Sequence, residues 1–119
     1  MNSGSALDVA AFAKLEQMGG KAFAVQMIDL FVSYVPEKLA EARAAQQAGD
    51  LARVQKAVHP IKSSAGNIGA RPMRELAERI EQLASEQRGA GLDGMLVELE
   101  ATYLQVKEQL QAQRNGLVT

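Results

Sequence analysis

The chain has one histidine, His59, and the residue types spaced around it suggest what it does. Lys56, His59, Lys62, Ser63 and Gly66 recur at intervals of three and four, which on a helix stacks them on one face. A second set, Leu51, Val54, Val58, Ile61, Ala65 and Ile68, keeps the same rhythm one face over and draws a narrow apolar stripe into a core. The predicted helix therefore buries one side and turns an imidazole toward solvent, with cations a turn away and small side chains beside it. A lone histidine is more often a hydrogen-bonded structural residue. Such a residue, however, needs neither a lysine one turn on nor a strip from Lys56 to Gly66 free of acids. Those features suit a ring that receives a phosphoryl group. Neutral imidazole offers an unprotonated nitrogen near pH 7, and a nearby cation offsets the charge of the incoming group. In-line approach also requires uncrowded neighbours.

The remaining elements must hold that face in place. The chain has 119 residues, 47% of them hydrophobic, with three prolines and no tryptophan. Its long Ala/Leu/Glu/Gln/Lys/Arg-rich segments favour helix throughout. Residues 1–119 read as one domain, with residues 1–6 and 114–119 as frayed tails. A helix starting near Leu7 and Asp8 carries Val9, Phe12 and Leu15 inward and stops at Gly19-Gly20. A second carries Phe23, Met27, Leu30, Phe31 and Tyr34, kinks at Pro36 and continues through Leu39 and Ala42 to Gly49. Asp50 caps the central helix and Gly69 closes it. Pro72 opens a helix with Met73, Leu76, Ala77, Ile80, Leu83 and Ala84 inward, ending in the turn from Gly89 to Gly91. The last helix repeats Leu92, Leu96, Leu99, Tyr103, Val106 and Leu110, a seam of the kind bundle helices pack with. The expected fold class is all-α, an antiparallel four-helix bundle with a short additional N-terminal helix.

Composition narrows the function classes. Without cysteine there is no disulfide or thiolate site, and one histidine cannot build the usual transition-metal cluster, so no metal site is expected. A net charge of −1 gives no general attraction to nucleic acid. No apolar run is long enough for membrane insertion and no signal peptide is visible, so the expected location is cytoplasmic. Gly66 and Gly69 form no nucleotide loop, since no strand precedes them and no Gly-Lys-Ser/Thr follows, so no ATP site is expected. Arg43, Arg71, Arg74 and Arg79 are read as solvated helix faces rather than a basic rim for an acidic partner.

At His59, Lys62, Ser63, Gly69 and Ala70 the chain resembles the histidine-containing phosphotransfer (HPt) domains of two-component phosphorelays, and the likeness extends along nearly the whole chain through Gly19-Gly20, the Phe31 to Pro36 stretch and Gly49-Asp50. The resemblance implies that His59 accepts a phosphoryl group from a receiver-domain aspartyl phosphate and passes it to another receiver. It implies that Lys62 steadies the group and that Ser63 stands where many members carry Gly. It also implies that Glu81 matches the polar residue which in several members orients the histidine ring. Response-regulator receivers and a hybrid sensor histidine kinase are the implied partners of a monomer without cofactor, any Mg2+ belonging to the receiver. Pro60, directly after the histidine, departs from helical expectation and predicts either a kink in one helix or two shorter helices meeting at the site, the unbroken stripe from Leu51 to Ile68 favouring the kink. The competing function is a non-catalytic helical adaptor that binds a receiver or kinase domain.

Overall fold

The computed structural model describes residues 5–118, which form four α-helices: α1 (Val9–Gln47), α2 (Leu51–Ile68), α3 (Arg71–Ser85) and α4 (Leu92–Val118). α2 packs on α1 and α3, and α4 packs on the same two from the other side, closing a ring around one core. Every fully buried residue among those described is apolar. Straight, the 39 residues of α1 would span about 58 Å at 1.5 Å per residue. The molecule is 46 Å along its longest axis. Gly20 resolves the difference: its φ of 89° and ψ of 178° break the helix and turn the segment before it.

Both ends of α2 are closed by the residues expected to close them. Asp8 and Asp50 accept from the N–H groups of Ala11 and Arg53 and cap α1 and α2. Gly69 takes a left-handed φ of 90°, and the N–H of Ala70 returns to the carbonyl of Ala65, a Schellman closure of α2. The Asp8 N–H then donates to the Gly69 carbonyl at 2.8 Å, tying the first turn of the fold to the far end of the histidine helix. A Cβ at Gly69 would stand 3.1 Å from the Asp8 carbonyl oxygen in a backbone conformation that L residues avoid. Gly69→Ala is therefore expected to cost about 2 kcal/mol of stability, read as a lowered urea midpoint at unchanged slope.

The stripe of α2 is buried at Val54, Val58, Ile61, Ala65 and Ile68, with Leu51 half-buried at its edge. The whole expected seam of α4, from Leu92 to Leu110, is buried. Other expectations need correction. Val9 is largely exposed, because Ala6 and Leu7, just outside the helix, fill that part of the core. Leu30 and Tyr34 also face solvent, since Phe31 and Val35 take the inward positions of α1. Ser5 and Ala6 are not frayed: the Ser5 hydroxyl and the Leu7 N–H both donate to the Gln109 side chain on α4. Residues 1–4 of that expected tail lie outside the described residues. At the other end α4 runs on to Val118, held by an Arg114–Asp29 ion pair of 2.8 Å to α1; Thr119 lies outside the described residues. α3 stops at Ser85, short of the expected glycine turn, because Gln87 takes a left-handed φ of 58° and the Arg88 N–H closes onto the Leu83 carbonyl.

Both internal prolines sit within helices whose dihedrals stay helical around them. Each removes the N–H that would have bonded the carbonyl four residues earlier. For Pro36 that carbonyl is Val32, and the buried Tyr103 of α4 supplies the missing donor, its hydroxyl lying 3.2 Å from the oxygen. Burial pushes the Tyr103 phenol above its ordinary range, so the donor keeps its proton. Tyr103→Phe leaves a shielded acceptor empty and is expected to lower unfolding stability by about 1–3 kcal/mol, measured by urea denaturation. For Pro60 the carbonyl is that of the exposed Lys56, where no described side chain takes the place of the lost donor.

Candidate functional site

The burial of Val58 and Ile61 on the core side of α2 directs His59 outward, and its side chain is 60% exposed. Glu81 reaches it from α3. The two helices run in opposite senses from a tight turn, so residues equally far before and after Ala70 face one another, as His59 and Glu81 do. The His59 Nδ1 lies 2.6 Å from Glu81 Oε2, and the Lys62 ammonium lies 2.7 Å from Oε1 of the same carboxylate. One carboxylate thus holds both candidate side chains, one on each oxygen.

The electrostatics assign the tautomer. The Glu81 side chain is only 15% exposed, and burial works against its charge. Hydrogen bonds and charge from Lys62 and His59 overcome that and hold the carboxyl below the usual carboxylate range. An ionised carboxylate only accepts, so Nδ1 must carry the proton and donate. In the neutral ring the lone pair then belongs to Nε2, the nitrogen not engaged by Glu81. A neutral, oriented imidazole with its free lone pair on the outer nitrogen is a nucleophile.

Lys62 is the residue that the resemblance expects to steady the phosphoryl group. Its ammonium is already engaged by Glu81, although a lysine has three donors and this contact uses one. Ser63 is exposed on the same face. Gly66 is exposed too, but the space its missing side chain leaves is taken: a Cβ there would stand 2.9 Å from Arg74 Cδ. Residue types alone do not reveal this packing, whereas the matching offsets of Gly66 and Arg74 about Ala70 do. Arg43 is remote from the face, its guanidinium 2.6 Å from Glu100 and 3.6 Å from Asp93 on α4. On the α1 side of α2, the exposed Leu30 and Tyr34 join Met27, Phe31, Ser64, Asn67 and Ile68 around a shallow, mostly apolar depression.

The model of the Hpt domain family matches residues 26–116 of this sequence. The chain belongs to that family. Its role is accordingly histidine phosphotransfer in two-component phosphorelays, with receiver domains as the partners of such domains. The fold is similar to the crystal structure of histidine-containing phosphotransfer protein B from Pseudomonas aeruginosa, with a TM-score of 0.89 over 95% of this chain and 97% of that one at 23% identity. No curated protein matches the chain in sequence. No helix among the described residues is long and apolar enough to cross a membrane.

Proposed function

We propose that His59 is the phosphoacceptor and that Glu81 and Lys62 prepare it. The observation that carries this reading is the 2.6 Å contact between His59 Nδ1 and Glu81, which leaves Nε2 as the free nucleophile on an exposed ring. The Nε2 lone pair attacks the phosphorus of a receiver's aspartyl phosphate. The N–P bond forms as the acyl O–P bond breaks, and the aspartate leaves as carboxylate. Attack by a second receiver's aspartate on the phosphohistidine reverses these bonds. Positive charge that grows on the ring during transfer is offset by Glu81, and Lys62 turns a remaining N–H toward the phosphoryl oxygens. Ser63 keeps the face beside His59 low. Any Mg2+ acts in the receiver.

The scaffold for this chemistry is read as an antiparallel four-helix bundle in which the segment before Gly20 is a short additional helix. The break at Gly20 and the ring of helix contacts support that reading. The domain is read as a cytoplasmic monomer fed by a hybrid sensor kinase. The apolar depression at Leu30 and Tyr34 is a natural part of the receiver contact, since it borders the histidine helix.

The test is transfer from purified receiver domains that have been phosphorylated with labelled acetyl phosphate. The chain should acquire label that is acid-labile and alkali-stable, and peptide mapping should place it on His59. Binding to receivers without any label would instead favour the adaptor.

A further inference from the structure

We infer that Arg74 is a docking residue that pairs with a carboxylate on the phosphodonor receiver, and that Gly66 is glycine in order to seat it; this rests on the phosphotransfer reading above. The aliphatic stem of Arg74 lies across α2 where Gly66 has no side chain, its Cδ 2.9 Å and its Nε 4.0 Å from where a Cβ would be. A long side chain laid into a groove has already lost much of its rotamer freedom, so its head group binds at a smaller entropic cost.

The guanidinium has no ion-pair or hydrogen-bond partner among the described residues. Glu78 lies one turn further along α3 and Asp8 lines the same open cavity of about 310 Å³, yet neither forms an ion pair with Arg74 among the described residues. Asp8 is occupied in capping the Ala11 N–H. Arg71 shares the cavity and is likewise unpaired there. Arg43 pairs with Glu100 and Asp93, Arg114 with Asp29 and Arg88 with Glu86, whereas Arg53 and Arg79, like Arg71 and Arg74, form no ion pair among the described residues.

Position gives the partner. Gly66 is two helical turns, about 10 Å, along the face from His59. A specific protein contact covers about 800 Å² per partner, a disc roughly 16 Å in radius. A domain centred on His59 as it delivers a phosphoryl group therefore covers Arg74 as well. A cation in that footprint must meet a carboxylate or be desolvated at a cost. Lys62 is neutralised by Glu81, whereas the cavity beside Gly66 is lined by Arg71 and Arg74 against the single carboxylate of Asp8, a local balance that favours an acidic partner surface.

The experiment compares wild type, Arg74→Glu and Arg74→Gln in single-turnover transfer from a panel of receivers phosphorylated with acetyl phosphate, over a range of receiver concentrations and salt. Phosphoramidate, a small phosphodonor that needs no docking, is run in parallel. Arg74→Glu should raise the half-saturating receiver concentration about tenfold, with the saturating rate within about twofold of wild type. Arg74→Gln should give a smaller rise and a flatter salt dependence, and phosphoramidate labelling of His59 should be the same in all three. If both variants saturate where wild type does, the Arg74 assignment is overturned while phosphotransfer stands. If phosphoramidate labels wild type but no receiver does, both readings fall.

Discussion

A chain carrying His59→Gln takes up no phosphoryl group from any phosphorylated receiver, while keeping the helical content and unfolding midpoint of the wild type. Glutamine matches the polarity and approximate reach of the imidazole, but its amide nitrogen has no available lone pair to attack phosphorus. The structural cost is small, because the ring is mostly exposed and Glu81 keeps its bond to Lys62. A stability change within about 0.5 kcal/mol is expected, as for other surface substitutions. The measurement is label transfer beside a urea melt of the same preparation. Acid-labile label on the variant would remove His59 from the mechanism.

Glu81→Ala is the second large effect. Without the carboxylate, nothing holds the proton on Nδ1, so part of the population carries it on Nε2, where it blocks attack. The ring also turns freely, and Lys62 loses its anchor. Loss of a partner that orients a reactive histidine typically costs on the order of ten- to a hundredfold in activity. The same loss is expected here in the transfer rate from a saturating receiver. Proton-detected nitrogen NMR of the ring should show the two tautomers mixed in the variant and one dominant in the wild type. Glu81→Gln should fall between, since its amide oxygen still accepts from Nδ1 while its NH2 faces the Lys62 ammonium.

The pH dependence follows from the same carboxylate. Its folded value lies below its unfolded one, so the stability it contributes is fully present above the unfolded value. That contribution fades as pH falls through the lowered folded value. The clasp on His59 and Lys62 should thus persist to more acidic solution than an ordinary glutamate would allow.

Much of the fold is legible from local chemistry. The stripe from Val54 to Ile68, the seam from Leu92 to Leu110, the Asp50 cap and the Gly69 stop each follow from spacing or backbone preference, and each recurs in the structure. The misreadings arise where two residues compete for one place. Leu30 and Tyr34 fit a helical period as well as Phe31 and Val35 do, and only packing against α2 and α4 decides between them. Val9 loses its core position to residues preceding the helix, which periodicity cannot register. The end of α3 is set by Gln87 adopting a glycine-like conformation, which its residue type does not announce.

At the site, spacing alone places His59, Lys62, Ser63 and Gly66 on one face. Glu81 enters only through the family resemblance, because it lies on another helix. That Lys62 binds Glu81, and that Arg74 fills the space at Gly66, depends on which acceptor or groove is nearest in three dimensions. Residue types alone do not carry that information.

Pro60 denies the Lys56 carbonyl the N–H four residues on, one turn from His59. Lys56 itself is exposed, so water can take the place of that donor, and the stretching vibration of this carbonyl should then absorb apart from the main helical band. Isotopic substitution at this single carbonyl would make it an infrared reporter of hydration beside His59. Its frequency would register when an approaching domain strips water from the surface, before any phosphorus has moved.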